Sequence, residues 1–283
     1  MCEERDMRFT KMQGIGNDYV YVNCFEETVA DPAAVARFVS DRHFGIGSDG
    51  LILIGPSGTA DCRMDMYNMD GSRGVMCGNG VRCVGKYAYD HGLVPGDRRS
   101  LTVETLAGVK TIEFTVEEKN GRFTARLLTV DMGEARLTSE LPEPINVDGR
   151  DYSFVGISVG NPHAVYFMDS IDDLRLDRIG PSFEMHPRFQ PDRVNTEFIQ
   201  LVDRNHIRMR VWERGSGETW ACGTGATASA AAAILMGYTE DEVEVELRGG
   251  KLRIRLDRES GHLFMTGPAV EVFRGDIDIP ENL

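Results

Sequence analysis

Met76-Cys77-Gly78-Asn79-Gly80 and Ala221-Cys222-Gly223-Thr224-Gly225 are near-copies of one another, offset by 145 residues. Each run precedes a stretch that reads as a helix, which puts each thiol at a helix N-terminus. Unpaired N–H groups and about half a positive charge there favour a thiolate or a bound anion. The match spreads in both directions. Gly92 and Gly237 each lie fifteen positions after the cysteine, where a C′ glycine would close a helix of three to four turns. Asn68 and Glu213 each lie nine positions before it, at the ends of alternating runs, Cys62–Tyr67 and His206–Trp212, that read as strands. Further back, Gly16-Asn17-Asp18-Tyr19 meets Gly160-Asn161-Pro162-His163, and Asp41-Arg42 and Asp192-Arg193 fall in corresponding intervals.

The common unit is a strand, a Gly-Asn turn, a helix (around Pro32–Phe38 in the first copy), further strands, a cysteine-headed helix and a β-hairpin. The hairpins are Leu101–Val116 and Val243–Leu256. A chance Cys-Gly-x-Gly pair would lack these flanking matches, so the chain reads as a duplication. The expected fold class is α+β: two pseudo-symmetric domains, each a mostly antiparallel sheet wrapped around a central helix. The seam is expected within Thr129–Asp151, which is rich in Pro, Gly and acidic residues, giving halves of 1–128 and 129–269.

Composition sets the bounds. The chain has 283 residues, 41% hydrophobic and 27% charged, enough for a sizeable core. A net charge of −14 argues against a nucleic-acid surface, which needs clustered Lys and Arg. The longest apolar run, Ala226 to Met236, is too short to span a bilayer. Met1–Asp6 is charged with no apolar stretch behind it, which predicts a disordered tail, no signal peptide and a cytoplasmic location. Six cysteines without that context read as free thiols. Cys24, Cys62 and Cys83 are expected to be small buried hydrophobes, and Cys2 to have no role. No spacing suggests a metal site, a P-loop or a dinucleotide fingerprint, and no cofactor is expected. Gly14-Ile15-Gly16 and Gly45-Ile46-Gly47 read as turns.

Two thiols at helix starts suit a carboxylate held by backbone N–H groups while acid and base work on opposite faces of the adjacent Cα. A thiolate removes the proton, a thiol returns one, and the carbon inverts without redox change. The poor acidity of an α-proton would be met by preorganised donors and exclusion of water.

These residues resemble the diaminopimelate epimerase family, from Phe9-Thr10-Lys11-Met12-Gln13-Gly14-Ile15-Gly16-Asn17-Asp18 to the final strand. The most specific pieces are Met76–Cys83, Gly160-Asn161-Pro162-His163, and Trp212-Glu213-Arg214-Gly215-Ser216-Gly217-Glu218-Thr219 leading into Cys222. Proline racemases and phenazine-biosynthesis isomerases share the fold, but the Glu213–Thr219 run is similar to the epimerases most. The resemblance implies Cys77 and Cys222 as the acid/base pair, with Glu213 and His163 beside them. It implies backbone donors at Gly78, Asn79, Gly223 and Thr224, and a substrate grip by Asn17, Asn68, Asn161, Asn195, Glu213 and Arg214. It also implies no cofactor, a homodimer, and a last strand, about Val270–Asp278 within 270–283, that completes the first half. One departure stands out: Gly50 follows Asp49 where many members have Gln, which puts one side-chain contact to substrate in doubt.

The implied activity is conversion of L,L- to meso-diaminopimelate for lysine and peptidoglycan precursors. Three alternatives remain open at this point: the same chemistry on another amino acid such as histidine or proline, a thiol redox protein using the two cysteines as a disulfide pair, and a non-catalytic carboxylate-binding module. Arg214 and the asparagines favour a substrate with a second polar end.

Overall fold

The computed structural model describes residues 6–119, 121–280 and 283; the expected tail, apart from Asp6, and Cys2 lie outside them. In chain order the elements are β1 (Asp6–Gly14), β2 (Asn17–Asn23), α1 (Pro32–Ser40), β3 (Gly50–Gly55), β4 (Cys62–Asn68), β5 (Arg73–Gly74), α2 (Gly78–Asp90), β6 (Ser100–Thr105), β7 (Gly108–Lys119) and β8 (Arg122–Glu134). There follow β9 (Arg136–Leu137), β10 (Glu143–Val147), β11 (Arg150–Ser158), β12 (Pro162–Phe167), α3 (Leu176–Glu184), β13 (Asn195–Asp203), β14 (His206–Glu213), β15 (Gly217–Thr219) and α4 (Gly223–Leu235). The chain ends with β16 (Glu242–Leu247), β17 (Gly250–Leu256), β18 (His262–Pro268) and β19 (Val270–Asp278). It divides into two compact units: residues up to Val130 with Pro268 onward, and Asp131–Gly267.

In the first unit β19 pairs with β1, β1 with β2, β2 with β3, β3 with β4, β4 with β6, β6 with β7, and β7 with β8. Only β2–β3 and β4–β6 are parallel. Those two junctions carry α1 and α2, because parallel neighbours need a crossover long enough for a helix. The β1–β2 hairpin closes through Ile15 and Gly16, both at positive φ (49° and 89°), as a tight two-residue turn requires.

The second unit repeats this order: β10, β11, β12, β13, β14, β16, β17 and then β18, parallel only at β12–β13 and β14–β16. Here β10, immediately upstream in the chain, takes the place that β19 takes beside β1. The fold is α+β with two pseudo-symmetric halves, as the repeat implied.

Each half centres on its cysteine-headed helix. α2 packs against β1, β2, β4, β6 and β19, and α4 against β11 to β14, β16 and β17. α4 achieves burial with small residues, Ala226 to Ala233 all being buried. α2 instead buries Arg82 and Lys86; Lys86 Nζ donates to Asp90, Thr124 Oγ1 and the Ala125 carbonyl, each at 2.7 Å. These partners offset the cost of taking a charge out of water.

Both helices end alike. Leu93 N–H bonds the Ala88 carbonyl and Tyr238 N–H the Ala233 carbonyl, each at 2.9 Å, with Gly92 and Gly237 at φ of 72° and 71°. This is the left-handed glycine termination that the fifteen-residue spacing predicts. α1 runs two residues beyond Phe38, opened by Asp31, whose carboxylate accepts from Ala34 N–H at 3.0 Å. No helix among the described residues is long and apolar enough to cross a membrane.

Candidate active site

In the first unit Cys77 is the N-cap of α2. Its backbone is extended and its Sγ accepts from Gly80 N–H at 3.3 Å. The thiol donates to Asn17 Oδ1 at 3.2 Å. Asn17 sits at the start of β2, just past the tight turn, and its Nδ2 donates to Asp49 Oδ2 at 2.8 Å. Asp49 also accepts the Asp18 N–H at 3.2 Å, which fixes the Asn17 amide with its oxygen toward the thiol. Burial and then the neighbouring Asp18 carboxylate push the Asp49 carboxyl above its ordinary range.

Asn79 is buried in the first turn of α2, and its Oδ1 accepts from Arg82 Nη2 at 2.8 Å. The amides of Gly78 and Asn79 precede the intrahelical ladder, which begins with Val81 N–H on the Cys77 carbonyl. Asn68 ends β4, with Nδ2 donating to Ser72 Oγ at 3.0 Å. It does not touch Cys77 through any hydrogen bond among the described residues.

Gly50 lies opposite Asn68 in the β3–β4 register. A Cβ there would fall 2.1 Å from the Tyr67 carbonyl oxygen and 2.8 Å from Tyr19 Cε1. This backbone has no room for a glutamine at position 50. The substrate contact left in doubt by the sequence is one that this position cannot supply.

In the second unit Cys222 caps α4 in the same way, with Sγ accepting from Gly225 N–H at 3.3 Å. Its other neighbours differ. Thr224 Oγ1 lies 3.5 Å away and Glu213 is in hydrogen-bonding contact. Burial, then the Glu213 and Glu197 carboxylates, push the Cys222 thiol well above the ordinary thiol range. Glu213 ends β14, where Asn68 ends β4, and accepts from Thr219 Oγ1. Burial raises its carboxyl as well.

His163 on β12 is buried between Glu197 Oε1, 2.7 Å from Nδ1, and Asn161 Oδ1, 3.0 Å from Nε2. Asn161 Nδ2 reaches Thr224 Oγ1 at 3.4 Å, which ties the Gly-Asn turn to the first turn of α4. Gly223 and Thr224 present their amides as Gly78 and Asn79 do, ahead of Ala226 N–H on the Cys222 carbonyl. Asn195 is buried, and its Oδ1 accepts the Arg214 N–H at 3.0 Å. The exposed Arg214 side chain is steadied by the Asp192 carbonyl at 2.8 Å.

Thus Cys77, Gly78, Asn79 and Asn17 come together in one half. Cys222, Gly223, Thr224, Asn161, His163 and Glu213 come together in the other, with Asn195 and Arg214 joined to each other. Asp49 and Glu197 are in contact with these groups although nothing in the motifs pointed to them. The other described cysteines are Cys24, Cys62 and Cys83. Burial, followed by Asp61, pushes the Cys62 thiol up to about 12, and burial pushes Cys83 up to about 11. Cys24 is half-buried rather than buried, since it follows the last residue of β2 beside the Asn23–Glu27 turn. Among the described residues no cluster of His, Cys, Asp and Glu is arranged to hold a metal ion.

The diaminopimelate epimerase family model matches residues 9–138 and 155–272. The chain is 51% identical to the diaminopimelate epimerase of Acetivibrio thermocellus, over 97% of this chain and 100% of that one. It is 54% identical to that of Desulfovibrio desulfuricans, over 95% of this chain and 98% of that one. Among solved structures, a hydroxyproline epimerase from Agrobacterium vitis superposes with a TM-score of 0.76 at 15% identity, covering 99% of this chain and 95% of that one. At that identity it speaks to the fold alone.

Proposed function

The chain belongs to the diaminopimelate epimerase family, and on that premise we propose that it interconverts L,L- and meso-diaminopimelate by proton exchange between two thiols and one Cα. It is an isomerase, and its product class serves lysine and peptidoglycan precursor synthesis. The observation that carries the mechanism is the repeated cap: Cys77 and Cys222 each sit at N-cap with Sγ 3.3 Å from the third residue's N–H. Such a cap holds the sulfur beside the first-turn amides of its own helix, which suit a carboxylate.

In the forward direction one sulfur, as thiolate, takes the Cα proton. The electron pair delocalises into the carboxylate, whose growing charge meets amides of Gly78, Asn79, Gly223 and Thr224. The other thiol then gives its proton to the opposite face and becomes the thiolate. No net proton or electron is lost. Removing one such preorganised donor typically costs about 3–4 kcal/mol, so several together replace much of what a cofactor would contribute.

Asn17, Asn68, Asn161 and Asn195 supply polar contacts to the rest of the substrate. Arg214 suits the distal carboxylate, since a guanidinium can grip it through two parallel bonds. Glu213 and His163 take the ammonium and set protonation near Cys222. Homodimeric assembly and a cytoplasmic location belong to the same proposal.

Incubation of the reduced protein with L,L-diaminopimelate in D₂O, without added cofactor, tests it by NMR. Deuterium at Cα and meso product are expected. Absence of both would reject the proposal, and turnover of histidine or proline in preference would redirect it to another amino acid.

A further inference from the structure

Glu197 is wholly buried, at 0% exposure, and its Oε2 has no hydrogen-bond partner among the described residues. An ionised carboxylate in such a place is costly unless something requires it. The other half of the molecule tests whether packing requires it. In the β2–β3 pair Tyr21 stands beside Ile52; in the β12–β13 pair Val165 stands beside Glu197. Ile52 and Glu197 also face the same glycine of their respective helices. A Cβ on Gly80 would meet Ile52 Cδ1 at 2.8 Å, and a Cβ on Gly225 would meet Glu197 Oε1 at 2.8 Å. The fold therefore accepts an isoleucine at this register, and the glutamate is an addition specific to the second half.

Besides Tyr21 against Val165, the residue two positions back along the neighbouring strand differs. Tyr19 in β2 corresponds to His163 in β12, and only His163 has a ring nitrogen to satisfy. Glu197 Oε1 lies 2.7 Å from His163 Nδ1.

We propose that Glu197 is a positioning residue for the reaction: it accepts the Nδ1–H of His163, so that the neutral ring presents the Nε2 lone pair to Asn161, whose amide then turns its Nδ2 to the ring and its Oδ1 to the Thr224 hydroxyl at the start of α4. The hydrogen bond on one ring nitrogen decides which tautomer the other presents. Asn161 passes the constraint to Thr224, which neighbours the Cys222 sulfur. His163 from β12 is bonded to Glu197, and Tyr166 from β12, Glu213 from β14 and Cys222 at the head of α4 feel its charge. Its charge also contributes to keeping the Cys222 thiol protonated. The role in turnover rests on the two-thiol proposal, whereas the effect on the histidine does not.

The test uses full-length Glu197→Ile, which copies the other half, and Glu197→Gln, which keeps an acceptor. ¹⁵N-histidine NMR, at a pH where the ring is neutral and without substrate, reads the tautomer of His163, assigned with His163→Asn. Steady-state kinetics then separates kcat from KM. The wild type is expected to hold Nδ1–H and Glu197→Ile to lose it, with kcat falling about a hundredfold and KM moving less than about threefold. Glu197→Gln is expected to retain the tautomer and all but about tenfold of kcat. A folded Glu197→Ile with wild-type tautomer and kcat would overturn the proposal. Should Glu197→Ile not fold, loss of the Nδ1–H tautomer in folded Glu197→Gln would overturn it, and retention would support it. If the wild type fails to epimerise diaminopimelate, the functional proposal falls, and the tautomer comparison still decides the role of Glu197.

Discussion

Cys77 donates its thiol hydrogen to Asn17 Oδ1 at 3.2 Å, a neutral partner on a half-exposed surface. Cys222, its counterpart, is buried and faces two carboxylates, Glu213 and Glu197. Two helix starts of the same geometry thus place different side chains beside their sulfurs, a neutral amide at Cys77 and carboxylates at Cys222. A helix N-terminus favours the thiolate, but burial and then the carboxylates at Cys222 outweigh that and raise its pKa.

Alkylation should therefore discriminate between the two. With iodoacetamide at pH 8, read by peptide mass spectrometry, Cys77 is expected to label first. Labelling of Cys222 should remain slow even at the ordinary thiol value of 9.0, because its pKa, raised well above that value, keeps it protonated there. Faster labelling at Cys222 would contradict this assignment.

Much of this was legible in the sequence because duplication leaves its mark on backbone-critical residues. Gly92 and Gly237 must adopt left-handed φ, and Cys77 and Cys222 must cap, so these positions share their spacing while most helix residues between them differ. Glu197 is not legible there, for a physical reason. In Asn195-Thr196-Glu197-Phe198 a glutamate on a strand reads as the solvent-facing member of an alternating pattern. Its burial depends on His163, 34 residues away in sequence and on the adjacent strand. The offset of 145, applied one strand earlier, would have set it against Ile52 and exposed the mismatch. Gly50 stands out as a departure, but its cause, the Tyr67 carbonyl, is a cross-strand contact that no local pattern reveals.

Gly50→Gln should destabilise the protein by about 1–3 kcal/mol, since the new Cβ meets a backbone oxygen that cannot yield without moving β4. Gly92→Ala should cost about 1–2 kcal/mol from left-handed backbone strain alone, because the space beside it is open. Urea denaturation measures both. An unchanged midpoint for Gly50→Gln would show that the register there is softer than described.

Glu271 on β19 binds His91, which ends α2, at 2.8 Å, and Arg274 at 2.6 Å. These bonds, the His91 one foremost, hold its carboxyl at about 2 against an ordinary 4.5. A lowered folded-state pKa gives stability that is complete above the unfolded value and is lost as pH falls through 4.5 toward 2. The melting temperature of the wild type should drop over that window more steeply than that of Glu271→Gln. Parallel curves would contradict the linkage.

The most direct measurement of the central claim is turnover by Cys77→Ala and Cys222→Ala, each checked for folding by circular dichroism and assayed with L,L-diaminopimelate in D₂O. With the two thiols as the acid/base pair, neither variant forms meso product. Formation of meso product by either folded variant at a rate near that of the wild type would contradict it.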